Sequence, residues 1–361
     1  MAFSLRTLFS SVQDKASSGA QVTVGIDLGS SSVKVVEIEE TERALTLRTY
    51  GELQLGPYEG APLGDMVQLS QKKRIESIVD VMRESGANAR KGVLVIPLAV
   101  SFMTVIPISA KADEDITSKI GVEARKYIPI PLSDVALDWV EIGSGDSKST
   151  MREVMIAAIE HSTVRNYKEA LEAIGLASQP SEIEAFSLVR ALNRSTDTTL
   201  AVLDIGAHTS KLYIVQGGTI ERIHRVAAGG VAITKRLAEM RGLSFEDAEN
   251  LKRSYSDDHE AARDIQKATT SILDSVFLEC KRIIEQYEAR IGQPIGRTVL
   301  AGGVSSFVGT PTYARDALGR EVEVGNAFDK LAYPAFMEDT LTEIAPSFGV
   351  AIGAALRHFS E

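Results

Sequence analysis

The 361 residues carry 39 Lys and Arg against 49 Asp and Glu, a formal net charge of −10, and 44% of them are hydrophobic. That length and apolar share suffice for two cores rather than one, and the acidic balance speaks against nucleic acid as the main partner. Cys280, the one cysteine, excludes an internal disulfide and reads as a small buried residue in a reducing compartment. The longest apolar run, Val93 to Val100, contains Pro97 and falls short of the roughly 20 residues a membrane-spanning helix needs.

Residues 1–21 form a tail. Phe3, Leu5, Leu8, Phe9 and Val12 give 2–13 the spacing of a weak amphipathic helix, which either meets a membrane surface or partner or packs on its own lobe. Arg6, its one basic residue, favours packing. Strands are expected at 22–27, 33–39, 44–50 and 52–55. Between the first two lies Asp27-Leu28-Gly29-Ser30-Ser31-Ser32-Val33-Lys34. A strand that ends in Asp and turns through Gly leaves several backbone N–H groups unpaired on one side, a cradle for phosphate oxygens. Ser30, Ser31 and Ser32 add hydroxyl donors there, and Lys34 reaches an anion as a point charge. Taken alone, the stretch also reads as an ordinary hairpin turn.

After a loop with Pro and Gly at 56–65, Ile75, Ile78, Val79 and Met82 recur at helical spacing over 72–85. Residues 93–165 read as a separate small α/β module. Its strands are expected at 93–96, 102–106, 135–142 and 151–160, the last two around a Gly/Ser loop at 143–150. Its helix, 113–127, is stopped by Pro129 and Pro131. Trp139, the only tryptophan, is expected in the core. A helix follows at 163–174, and Glu184 then stands between a strand and a helix.

The second half repeats the first. A strand at 200–205 enters Asp204-Ile205-Gly206-Ala207-His208-Thr209-Ser210-Lys211, the same Asp-x-Gly-x-x-Ser/Thr-x-Lys pattern. Strands at 212–215 and 219–226 follow around Gly217-Gly218. Gly206, Ala207, His208 and Thr209 make the second turn; His208 is given no chemistry of its own. Two such turns face to face grip a polyphosphate from both sides. Asp27 and Asp204 stand beside that anion only with a cation between them, which fits Mg²⁺ and its water shell.

Gly229 and Gly230 open a helix at 231–241 and allow close approach of a nucleotide to the backbone. Ser244 and Asp247 form a capping-box variant ahead of Glu249, Lys252 and Arg253. Glu249 and Lys252 share one helical face, either around a nucleoside or as a surface ion pair. Beyond an acidic connection at 255–264, a long helix is expected at 264–291. A third glycine turn, Gly302-Gly303-Val304-Ser305 with Ser306 beside it, precedes a strand at 322–324. The helix expected at 344–357 carries Gly349, Ala351, Gly353 and Ala354 for tight packing beneath the first lobe.

This order of glycine elements resembles the actin and heat-shock chaperone ATPase superfamily, with its two phosphate loops and adenosine loop. The stretch from Glu123 to Asp138, with Tyr127-Ile128-Pro129-Ile130-Pro131, resembles the Glu-x-x-x-Tyr-Ile-Pro-Phe-Pro segment of the PilM family, cytoplasmic actin-like proteins of type IV pilus machines. The resemblance runs from about Val22 to His358 and implies an α/β, actin-like and ribonuclease H-like two-lobe ATPase fold with a duplicated core and an FtsA-type 1C insertion. It divides the chain into a first lobe (1A; 22–92, 166–198 and 344–361), an inserted module (1C; 93–165), a second lobe (2A; 199–235 and 298–343) and a helical subdomain (2B; 236–297).

The resemblance also implies ATP and Mg²⁺ as cofactors. Gly29, Ser30, Ser31, Ser32, Lys34, Gly206, Ala207, His208 and Thr209 would then hold phosphates. Gly229, Gly230, Glu249, Lys252, Arg253, Gly302, Gly303, Val304 and Ser306 would hold the nucleoside, and Asp27 and Asp204 the metal through water. Glu184 takes the place of the superfamily's water-orienting acid, with Asp204 as a second catalytic residue; the alternative is an acid favoured by the helix dipole. Hydrolysis is expected to be slow or absent. The implied partner is the cytoplasmic N-terminal peptide of PilN, with Tyr127, Ile128 and Pro129 as contacts, together with other pilus assembly proteins that tie the chain peripherally to the inner membrane. An FtsA-like division protein is disfavoured by an ending soon after Arg357, and a small-molecule kinase by the lack of an Asp in a substrate-like loop.

Overall fold

The computed structural model describes residues 21–111, 113–142, 151–178, 182–195, 198–254, 261–307 and 309–359. The segment 2–13, the loop 143–150 and residues 255–260 of the acidic connection lie outside the described residues.

The first sheet contains β1 (Val22–Leu28), β2 (Ser32–Glu40), β3 (Leu45–Gln54), β4 (Lys91–Leu94) and β8 (Ala177–Ser178) in the order β3-β2-β1-β4-β8. Consecutive apolar residues in β1 and β2 reflect burial on both faces, and Ile26, Val35 and Val36 are fully buried. One face packs on α1 (Gln71–Ser85) and the other on α9 (Glu338–Leu356). The two strands expected at 44–50 and 52–55 are one, β3. Gly51, read as a break, is a close approach to α1, because a Cβ there would lie 2.8 Å from the Ser85 Cβ.

A second correction concerns 93–96. Val93 and Leu94 pair with Gly25 and Ile26 in the first sheet rather than opening the inserted module. The module begins after Pro97, at the short turn Leu98–Val100. It consists of β5 (Ser101–Ser109), β6 (Val135–Ile142), β7 (Met151–Glu160) and α2 (Thr117–Ala124), with sheet order β5-β7-β6. Helix α2 is shorter than the expected 113–127. Its start is set by Asp115, whose carboxylate accepts from the Thr117 N–H and hydroxyl at 2.9 and 2.7 Å.

Alternation along β7 divides the module's sheet between two cores. Val154, Ile156 and Ala158 pack with Ile120 and Ala124 of α2, whereas Met155, Ala157 and Ile159 join a larger core to which strands of both five-stranded sheets contribute. Trp139 is half-buried and touches both cores, rather than filling one.

The second sheet repeats the first. Strands β9 (Leu200–Ile205), β10 (Ser210–Gln216), β11 (Thr219–Val226), β12 (Arg297–Ala301) and β13 (Glu323–Val324) run in the order β11-β10-β9-β12-β13. Asp27 pairs across strands with Lys34, and Asp204 with Lys211. Helices α5 (Gly230–Arg241), α6 (Phe245–Arg253), α7 (Ala262–Ile291) and α8 (Thr310–Leu318) complete this half, with Cys280 buried on α7. In the first half, α3 (His161–Ala173) leads to β8, and α4 (Glu184–Leu192) packs on α9.

Candidate functional site

The matching strand pairs end at one cleft. The Gly29 N–H donates to the Ser32 carbonyl at 3.0 Å and the Gly206 N–H to the Thr209 carbonyl at 3.1 Å, so both turns close in the same way. A cleft of about 650 Å³ is lined by Asp27, Gly29, Ser30, Ser31, Ser32 and Lys34 of the first turn and by Asp204, Gly206, Ala207, His208 and Thr209 of the second. Glu184, Gly230, Glu249, Lys252, Arg253, Gly302, Gly303, Val304 and Ser306 line it too.

Gly229 stands behind this wall, where a Cβ would meet the Gly206 carbonyl oxygen at 2.4 Å. Tyr127, Ile128 and Pro129 belong to the inserted module and do not line the cleft. Of these, Tyr127 and Pro129 are exposed. Ile128 is buried and packs inside the module with Ile120 and Ala124.

Gly302 adopts φ 84°, donates its N–H to the Pro346 carbonyl at 2.7 Å and backs onto Asp204. Pro346 sits inside α9, whose N-terminal half lines the cleft with Glu343 and Ser347 while its C-terminal half runs under β1. On the opposite wall, Glu249 accepts from Arg253 at 2.8 Å and pairs with Lys252, whose ammonium donates to the Thr234 hydroxyl at 2.7 Å. Glu249 and Lys252 are only 3% and 6% exposed, which rules out a plain surface pair. Burial pushes the Glu249 carboxyl up, but the Lys252 charge together with hydrogen bonds from Lys252, Thr234 and Arg253 holds the group below its usual range.

The lobes touch here. The Gln54 side-chain oxygen accepts from Arg253 at 3.0 Å and from the Gly64 N–H at 3.2 Å. A Cβ at Gly64 would fall 2.5 Å from the Glu249 carboxylate.

At the floor, burial pushes Asp27 up to about 6 against the pull of Lys34. Burial also raises Asp204, and Lys211 opposes it. The Lys211 ammonium lies 3.0 Å from Glu184 Oε2 and 3.2 Å from Asp204 Oδ2. Burial draws this ammonium down, yet the two carboxylates together hold it well above the ordinary lysine value. The other Glu184 oxygen accepts from the Leu98 N–H at 2.7 Å.

The glycine and hydroxyl-bearing turns that line the cleft, with Lys34 and Lys211 beside them, fit a polyphosphate. The carboxylates do not fit a divalent cation shared evenly by Asp27 and Asp204, because Asp204 already shares a tethered cation with Glu184. Among the described residues, no group of three or more His, Cys, Asp or Glu side chains is placed to hold a metal ion.

Sequence reasoning missed Lys211, Gln54, Gly64, Phe307 and Glu343 as cleft residues. Lys211 had a visible signal, its place in the second motif equivalent to Lys34 in the first. Gln54 and Gly64 had none, since only the meeting of the lobes brings them to Glu249 and Arg253.

Comparison with known proteins agrees with this architecture. The family described as "Type IV pilus assembly protein PilM" matches residues 25–359. A solved PilM–PilN type IV pilus biogenesis complex is similar with a TM-score of 0.77 and 24% identity, over 94% of this chain and 99% of that one. MreB 5 of Spiroplasma citri bound to AMPPNP gives a TM-score of 0.51 at 12% identity, over 92% of this chain and 94% of that one. The cell division protein FtsA of Enterococcus faecalis (strain ATCC 700802 / V583) is 22% identical over 349 residues, which cover 83% of this chain and 78% of the relative. The fold is thus actin-like, and the chain belongs to the PilM family of type IV pilus assembly proteins.

Proposed function

We propose that this chain is an ATP-binding adaptor of type IV pilus assembly that takes up the cytoplasmic N-terminal peptide of PilN, and through it sits at the inner membrane. One observation carries the nucleotide reading: two glycine turns with the same closing hydrogen bond and the same Asp–Lys register face a single cleft. In this reading the backbone N–H groups of Ser30, Ser31, Ala207 and His208 meet phosphate oxygens, and Lys34 supplies charge. The wall of Gly230, Glu249, Lys252 and Gly302 receives the nucleoside. The MreB relative bound to AMPPNP supports this assignment.

Glu184 has both oxygens engaged, by Leu98 and Lys211, and so is poorly placed to orient water. The protein therefore binds ATP with slow or negligible turnover. The peptide reading draws on the family and on the likeness to the PilM–PilN complex, and Tyr127 and Pro129 remain its candidate contacts on the module.

Calorimetric titration tests the nucleotide half. Wild type is expected to bind ATP and Lys34→Met to bind about tenfold more weakly, the loss of roughly one charge-assisted contact. Equal affinities, or no binding by wild type, would refute it. Failure of a synthetic PilN N-terminal peptide to capture the purified chain would refute the adaptor half.

A further inference from the structure

We infer that the Lys211 ammonium is a counter-cation built into the second phosphate turn, so that this chain binds a nucleoside triphosphate with little dependence on Mg²⁺. The inference rests on the cleft being a nucleotide site. An anion entering it meets the carboxylates of Asp27, Glu184 and Asp204. Carboxylates beside a phosphate repel it unless positive charge stands between them.

At the second turn that charge is already present and covalently attached. Strand register sets Lys211 opposite Asp204, and its ammonium reaches Asp204 at 3.2 Å and Glu184 at 3.0 Å, with the side chain 12% exposed. Lys34 has the equivalent place opposite Asp27, its ammonium donating to the Ser32 hydroxyl at 2.7 Å and pairing with Glu52 at 3.2 Å. Each turn therefore carries one Asp and one Lys.

Space for a competing ion is restricted on both sides. The Glu184 oxygen not facing Lys211 accepts from the Leu98 N–H at 2.7 Å. Gly302 packs so close that a Cβ there would lie 2.6 Å from Asp204 Oδ1. A divalent cation reaching between Asp204 and Glu184 has to displace a buried ammonium and shed water, and Mg²⁺ gives up water reluctantly.

The test is calorimetric titration of ATP into the full chain, once in excess Mg²⁺ and once in excess chelator, for wild type, Lys211→Met and Lys211→Arg. Wild-type affinity is expected to differ by less than about threefold between the buffers. Lys211→Met is expected to lose about tenfold or more in chelator and to recover in Mg²⁺, as the two freed carboxylates accept the ion. Lys211→Arg, which keeps the charge, is expected to follow wild type. Wild-type binding that disappears in chelator overturns the inference and leaves the nucleotide reading standing; no binding in either buffer overturns both. The wild-type pair of titrations decides the matter even if Lys211→Met fails to fold.

Discussion

Gly302 occupies φ 84° and ψ 158°, a backbone region that is essentially restricted to glycine. A methyl group there would also meet the Ile205 carbonyl oxygen at 2.4 Å. Gly302→Ala is therefore expected to cost about 2 kcal/mol of stability and to weaken ATP binding, as read from denaturant midpoints and calorimetry; an unchanged midpoint would contradict the account. Asp138 on β6 is a different single-residue case. One of its oxygens accepts from the Trp139 N–H at 2.8 Å, and the other is buried without a hydrogen-bond partner among the described residues. Burial pushes this carboxyl up to about 7. The folded state then binds a proton that the unfolded chain releases near the ordinary Asp value. The contribution of Asp138 to stability should be fully present at low pH, fall as pH rises from the ordinary Asp value through about 7, and level off above. Asp138→Asn should flatten that decline in thermal midpoint; parallel pH curves for the two proteins would argue against it. The residue types behind both effects stood in the sequence, but neither the φ of Gly302 nor the burial of Asp138 did.

Helix α9 does two jobs, and its sequence explains both. Glu343, Pro346 and Ser347 in its first half face the cleft, and the Pro346 carbonyl anchors Gly302. Its second half is a run of small residues, because β1 and α4 press on it at backbone distance. A Cβ at Gly353 would fall 1.8 Å from the Ser187 carbonyl oxygen, and one at Gly25 would fall 2.0 Å from the Ala351 carbonyl oxygen. Gly353→Ala is expected to destabilise the protein by about 3 kcal/mol, at the upper end of ordinary overpacking because backbone rather than a side chain must move. A thermal midpoint within a degree or two of wild type would show that the helices slide apart more freely than this packing suggests. The small-residue pattern was legible beforehand, and so was the cleft role of both glycine turns. Helix α2 starts later than the sequence pattern predicts because the local Asp115 to Thr117 hydrogen bonds compete with a longer helix. Strand β3 was split because Gly51 looks the same in sequence whether it breaks a strand or admits a neighbouring helix.

The two halves of the molecule are tied at the mouth of the cleft by the hydrogen bond from Arg253 to Gln54, whose side-chain oxygen also accepts from the Gly64 N–H within the first lobe. A second set lies behind, where Glu153 of the inserted module pairs with Arg222 of β11 at 2.8 Å and with Arg290 of α7. A ligand held between the two turns adds to these ties only in the folded state. ATP at a hundred times its dissociation constant is therefore expected to raise unfolding free energy by about 2.7 kcal/mol, which a denaturant titration with and without nucleotide would show; no shift at saturating ATP would count against the cleft as the binding site. Sequence alone determined the duplicated Asp-x-Gly-x-x-Ser/Thr-x-Lys units, the strand pairing around them and the family resemblance, because turn chemistry and alternation are local and repeat visibly. Only the tertiary structure decided that 93–96 belong to the first sheet, that Ile128 is buried, and that Lys211 lies between Asp204 and Glu184. Those three outcomes depend on which distant segments meet, and residues far apart in the chain leave no local pattern from which their contact can be read.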